Sequence, residues 1–157
     1  DCRIKGYENF SPKRIILDKD LDICLNTFIF KSSRKKNTII FHNSSNHTKI
    51  GILKKRGIIL VKSKLNNKKR FDLKIILKKL FSLGIRNLLV EGGDKITKNM
   101  LEKRLINQFY LFKSSKNLPK NKKYVNFTSD IILNKNYKIK SSISPKLAKD
   151  KITIYKR

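Results

Sequence analysis

Residues 88–105, LLVEGGDKITKNMLEKRL, set a carboxylate, two glycines and a helical pattern in direct succession. Glu91 closes an apolar run, Gly92 and Gly93 follow, and from Asp94 the side chains Ile96, Met100, Leu101 and Leu105 recur at helical spacing. A helix starting here leaves its first N–H groups without intrahelical partners, and its dipole favours negative charge in front of them. The glycines have no side chain to keep a phosphate from the backbone. Lys95 and Thr97 add a cation and a hydroxyl. These residues describe an anion site, but a plain strand-to-helix turn that uses glycine for its geometry accounts for them equally well. Neither G-x-G-x-x-G nor G-x-x-x-x-G-K-[ST] occurs in the chain.

Other chemistry has less support. His42 and His47 lie near no H-x-E or C-x-x-C, so a zinc deaminase site is missing and both read as loop residues rather than ligands. No Ser, Cys or Asp stands in a nucleophile-elbow setting. Asp18, Asp20 and Asp22 alternate too closely for a metal loop, lack its glycine, and read as a solvated turn after a strand.

The elements that must position these residues follow from turn signals and period. Apolar runs at 13–18 (KRIILD), 37–42 (NTIIFH) and 56–63 (RGIILVKS) read as buried strands. Between the last two, NSSNHTKIGILKK holds polar turn residues and then a short basic segment, open between a small helix and a loop. Leu73, Ile76, Leu77, Leu80 and Phe81 form the apolar face of a helix over 72–83, with Asp72 as N-cap and Gly84 as the C-terminal stop. Residues 85–90, IRNLLV, have the few polar side chains of a central strand covered on both faces. A second helix over 94–105 and a strand over 107–114 complete a strand–helix–strand–helix–strand run, whose right-handed crossovers imply a parallel sheet there. Short alternating segments in the tail, NYKIKSS and KITIYKR, predict an antiparallel ending. The expected fold is α/β: a mixed, mostly parallel central sheet flanked by helices, the 85–90 strand central, with antiparallel C-terminal strands.

At 157 residues with 39% hydrophobic side chains, the chain suits one globular domain. No apolar run is long enough to cross a bilayer, so no membrane partner is expected. Two cysteines, Cys2 and Cys24, form no C-x-x-C or disulfide framework, in keeping with a reduced, cytoplasmic setting. The net charge of +28 raises nucleic-acid binding. Yet the lysines are spread over many segments, Trp is absent, and the aromatics do not interleave with Arg as stacking platforms require. A solvated basic surface with no nucleic-acid partner is the better reading, and its field attracts any anionic ligand.

The order of pieces resembles a known family. SPKRIILDKDLDI, followed by RFDLKIILKKLFSLGIRNLLVEGGDKITKNMLEKRLINQFYLF, is similar to the reductase domain of the bifunctional riboflavin-biosynthesis deaminase/reductase, a dihydrofolate-reductase-like fold. That family shows an R-[IV]-[IV]-[ILV]-D strand, a D-L-x-x-[IL]-L helix and a V-E-[GA]-G strand end before a leucine-rich helix. The match runs from Arg3 to about Phe112 and is most specific at LGIRNLLVEGGDKITKNMLEKRLINQF. Asn107-Gln108 stands where the family has Asp-Glu, and KSSKNLPKN where it has A-P-K-[LI]-[LIF]-G.

The resemblance implies NADPH-dependent reduction of the ribosylamino group of 5-amino-6-(5-phosphoribosylamino)uracil, a phosphorylated aminopyrimidine, to the ribitylamino form. It places Arg3 and Glu91 on substrate, Arg3 as the end of the family's D-P-x-L-x-x-R motif. It places Lys19 and the turn Gly93, Asp94, Lys95, Ile96, Thr97, Lys98 and Asn99 on the cofactor. It assigns no catalytic general base and no metal ligand. A homodimer is implied, as is an upstream zinc deaminase domain on the native protein; the sequence starts inside the D-P-x-L-x-x-R motif, so residues 1–157 read as a reductase domain lacking its first strand. A catalytically inactive nucleotide-binding domain of the same fold, and then a basic nucleic-acid-binding protein, are the alternatives.

Overall fold

In the computed structural model, residues 5–7, 10–33, 36–116, 127–137, 139–143 and 150–157 are described. They fall into two compact units, divided between Arg86 and Asn87.

The first unit is built on three parallel strands, β1 (Arg14–Leu17), β2 (Thr38–His42) and β3 (Ile59–Lys62), in the order β1-β2-β3. Ile15 pairs with Ile39, and Ile40 with Leu60. The crossovers contain a one-turn helix α1 (Phe28–Lys31) and the helix α2 (His47–Lys55), and α3 (Leu73–Ser82) follows β3. Every residue of β2 is buried, in keeping with the unbroken apolar run Ile39, Ile40 and Phe41 at its centre, between Thr38 and His42. Ile40 packs with Leu21, Leu53 of α2 and Ile58, while Ile39 and Phe41 meet Ile76 and Leu80 of α3 on the opposite face. Burying each such side chain contributes about 1.5–3 kcal/mol.

α3 forms where expected because both its ends are specified. The Asp72 carboxylate accepts from Lys74 N at 2.9 Å. At the other end Gly84 takes φ +83, its N–H donates to Phe81 O, and Ile85 N donates to Leu80 O, the paired bonds of a Schellman stop. Phe81 departs from the expected inward set: it is 60% exposed, with the Arg86 guanidinium 3.8 Å from its ring centroid.

The expected central strand at 85–90 is a correction. These residues join neither sheet. Ile85 is held by the α3 stop, and Arg86 donates from Nη1 to Phe81 O and stacks on its ring. Leu89 is 81% exposed.

The second unit has an antiparallel sheet of β4 (Gln108–Lys113), β5 (Ile139–Ile143) and β6 (Lys151–Lys156), in the order β4-β6-β5. β4 therefore pairs antiparallel with β6, Phe109 opposite Tyr155, and not in the parallel run expected of it. α4 (Asp94–Glu102) and α5 (Asp130–Asn136) supply Leu101 and Leu133 to a core with Tyr137, Tyr155, Phe109 and Leu111. The Tyr137 hydroxyl donates to Ile106 O at 3.0 Å, satisfying a polar atom that burial would otherwise leave costly. The α/β class holds: parallel strands with helices on both faces, and antiparallel strands at the C-terminal end.

Candidate functional site

In the second unit, Gly93 is the N-cap of α4 with φ −71 and ψ 172, so no side chain caps the helix. Ile96 N and Thr97 N both return to Gly93 O, leaving the N–H groups of Asp94 and Lys95 as the first-turn donors. The two glycines differ in what they require. A Cβ at Gly92 would clash with Ile96 Cγ2, so packing alone accounts for glycine there. A Cβ at Gly93 meets nothing within 4 Å, and its backbone angles are open to any residue. Packing gives no reason for glycine at 93; open space in front of a helix N-terminus is what an approaching anion needs.

Glu91 is exposed and makes no hydrogen bond or ion pair with the described residues, so it does not act as a cap of α4. Asp94 is engaged: its Oδ1 accepts from Thr128 N at 3.4 Å and its Oδ2 from the Thr128 hydroxyl at 3.3 Å, tying the start of α4 to the approach to α5. Lys95 and Lys98 are exposed, and Ile96, Thr97 and Asn99 half-buried. Asn99 Oδ1 is buried without a hydrogen-bond partner among the described residues. The residues from Glu91 to Asn99 thus share one short non-helical lead-in and the first two turns of one helix.

The first unit carries a separate polar edge at the carboxyl ends of β1, β2 and β3. Asp18 ends β1, its Oδ1 accepting from Asp22 N at 2.9 Å and its Oδ2 from Ile23 N at 2.8 Å. The turn is held in part by Leu21, which adopts φ +60 while its side chain is buried with Ile40. A left-handed leucine is uncommon and persists because its packing over-determines it. Asp18 is thus a built turn acid, not merely solvated. Lys19 Nζ pairs with Asp20 Oδ2 at 2.9 Å, and this contact raises the lysine's pKa above its usual value. Lys19 O accepts from Asn43 N, His42 O accepts from Ser63 N, and Asn43 Nδ2 donates to Ser63 O, so the three strand ends are stitched together. Arg3 lies outside the described residues.

Sequence reasoning missed His42. It is the last residue of β2 and buried, not a loop residue. Desolvation lowers its pKa, with Lys62 and Lys54 acting in the same direction and the Ser44 main chain and Asp18 opposing them. The signal was the position itself: a polar ring directly after the apolar run Ile39, Ile40 and Phe41.

Parallel strands with helices on both faces and polar groups gathered at their carboxyl ends define an α/β domain of the kind that holds nucleotides at that edge. A profile of the RibD C-terminal domain matches residues 3–141, and the chain belongs to that family, the reductase domain of the bifunctional riboflavin-biosynthesis deaminase/reductase. It is 30% identical over 101 residues to the riboflavin biosynthesis protein RibD of Actinobacillus pleuropneumoniae, covering 64% of this chain and 27% of that protein. It is 33% identical over 102 residues to RibD of Aquifex aeolicus, covering 64% and 26%. The chain therefore spans about a quarter of the length of these relatives. Among solved structures, Acinetobacter baumannii RibD superposes with a TM-score of 0.64 at 17% identity, over 92% of this chain and 37% of that one. A pyrimidine reductase-like protein from Corynebacterium diphtheriae gives 0.66 at 15% identity, over 92% and 60%. At such identities the likeness establishes the fold.

Proposed function

We propose that this domain reduces the ribosylamino group of 5-amino-6-(5-phosphoribosylamino)uracil to its ribitylamino form with NADPH. The single observation that carries the reading is Gly93: a helix N-terminus with free first-turn donors, at a position where glycine leaves open space that packing does not use. The first-turn N–H groups of Asp94 and Lys95 bind a phosphate oxygen of the cofactor, with Lys95 and Lys98 adding charge and Thr97 a hydroxyl. Ile96 and Asn99 shape the same turn. Lys19, released from Asp20, suits a 2′-phosphate and so NADPH over NADH. When bound, the reduced nicotinamide supplies the hydride, and the protein's part is to hold and orient the reacting groups. Glu91, without a partner among the described residues, orients substrate hydroxyl or amino groups, and Arg3 holds the substrate phosphate. A homodimer, a cytoplasmic location and an upstream zinc deaminase domain belong to the same proposal. No helix among the described residues is long and apolar enough to cross a membrane.

Gly93→Val tests it. Because the backbone accepts a β-branched residue and nothing lies within 4 Å of the new Cβ, the melting temperature should change little. NADPH binding, measured by nucleotide fluorescence, should fall at least tenfold. Normal NADPH affinity in Gly93→Val would remove this turn from the cofactor site. NADPH binding by the wild type with no turnover of the aminopyrimidine would leave the inactive nucleotide-binding reading.

A further inference from the structure

The first turn of α2 follows the carboxyl end of β2 after the four residues 43–46, and its groups are committed in a specific way. Asn46 is the N-cap, its Oδ1 accepting from Lys49 N at 2.9 Å, and Asn46 O accepts from Ile50 N. Ser44 Oγ accepts from Asn46 N at 3.2 Å. The main-chain N–H groups of His47 and Thr48 are then the first-turn donors facing outward. A helix N-terminus alone would say little, since every helix has one. Here there is a second observation. His42 is only 4% exposed, and its Nδ1 has no hydrogen-bond partner among the described residues. Strand alternation places His42 on the face of β2 that Ile40 presents to Leu53 of α2, opposite Ile39 and Phe41, which face α3. The unpartnered Nδ1 therefore belongs to a ring on the side of the sheet that α2 covers, at the end where α2 begins, and that ring is hydrogen-bonded to the Ser44 main chain.

A buried polar atom without a partner is costly, and one that persists at a strand end beside a helix N-terminus calls for a reason. We propose that His42 is a positioning residue for the 43–46 loop, taking up a proton when a nucleotide's 2′-phosphate docks on the first turn of α2. The inference rests on the cofactor reading above and adds a coupling to it.

The electrostatics explain why the ring waits for the ligand. From β3, Lys62 faces His42; from α2, Lys54 does; both disfavour the imidazolium, and Asp18 of β1 is the acid that opposes them. Asp18 has both oxygens committed to the N–H groups of Asp22 and Ile23, so it is a weak counter-charge. Burial adds to the lysines, and the ring is neutral in the free protein near neutral pH. A phosphate dianion at the helix N-terminus reverses this local field. His42 then binds a proton, and the hydrogen bond that its ring already makes to the Ser44 main chain strengthens, because an imidazolium is the stronger donor. That fixes the loop whose following N–H groups hold the phosphate. Binding of the phosphorylated nucleotide and protonation of His42 strengthen each other reciprocally, as any linked pair must.

The test uses adenosine 2′,5′-bisphosphate as the probe, with adenosine 5′-monophosphate as the control lacking the 2′-phosphate. The chain has two histidines, so the ring Cε1–H signals are assigned by comparison with His47→Gln. Expected on saturation with the bisphosphate is a rise of about one pH unit in the titration midpoint of His42, a tenfold gain in proton affinity. The monophosphate should move it much less. Calorimetry in two buffers of different ionisation enthalpy should show proton uptake beyond that of the ligand's own phosphate, and His42→Gln should abolish that excess. If the bisphosphate binds while the His42 midpoint stays put, the coupling is overturned and the cofactor reading stands. Should neither nucleotide nor NADPH bind, both fall. The wild-type titration decides the matter even if His42→Gln folds poorly.

Discussion

Gly92 and Gly93 are adjacent, chemically identical, and present for different reasons. Gly92→Ala forces a methyl against Ile96 Cγ2 and should cost about 1–3 kcal/mol as overpacking, read as a lower midpoint in urea unfolding. Gly93→Ala should leave that midpoint nearly unchanged, and equal losses for the two would mean that neither position is kept open for a ligand. Glu91→Gln should lower turnover of the aminopyrimidine at least tenfold while NADPH affinity and melting temperature hold, because the carboxylate supports nothing else among the described residues. A lower melting temperature with normal kinetics would make it a structural acid after all. His42 gives the nucleotide-free protein a pH dependence of definite sign. Its pKa in the fold lies below the usual 6.5, so the unfolded chain binds the proton more readily. Stability is full above 6.5 and falls as pH drops through that value toward the folded pKa; thermal melts between pH 5 and 8 on wild type and His42→Gln should show the extra loss only in the wild type. At this scale the sequence displayed the candidate residues, Glu91 and Gly93 among them, by type and order. Whether a glycine is needed for packing or for open space depends on where Ile96 lands, which only the folded chain shows.

Elements were legible where their ends are written in short-range chemistry. α3 is bounded by Asp72 and Gly84, both readable, and it forms with the expected cap and stop. β1, β2 and β3 announce themselves as apolar runs between turn residues, although the α2 segment, with its mixed surface, left helix and loop open. The 85–90 run has the composition of a central strand and is none. A strand exists only through hydrogen bonds to a neighbour, and composition does not name the neighbour; here the Schellman stop and the Phe81–Arg86 stack claim the first two residues instead. The pairing of β4 failed for the same reason, since its partner β6 lies more than thirty residues downstream. α5 was missed because seven residues, DIILNKN, offer too little period to read. One consequence can be measured: Ile40→Ala removes a side chain with no exposure from the α2 face of β2 and should cost about 2–5 kcal/mol. A cost under 1 kcal/mol would show that the α2 face of this sheet packs loosely.

For the whole molecule, the dominant quantity is a net charge of +28 on 157 residues. Such a charge opposes compaction through self-repulsion, and salt screens it. The melting temperature should therefore rise between 0.05 and 0.5 M NaCl even as nucleotide affinity falls, because the same field that strains the fold attracts the anion. A melting temperature independent of salt would show that the charges are too dispersed to act together. The two sheets also differ in how they come into being. β1, β2 and β3 are all present once residue 62 has been made, and each pairs with the next strand along the chain. In the other sheet the central strand is β6, the latest of the three. During synthesis β4 is finished at Lys113, but its ladder with β6 can be complete only once Lys156 is added, 43 residues later. At ribosomal speed that is a delay of roughly 2–9 s. Over that interval the nascent chain displays β4, with its Phe109, Tyr110, Leu111 and Phe112, as an incompletely paired apolar edge, making it the segment of this protein with most need of a chaperone.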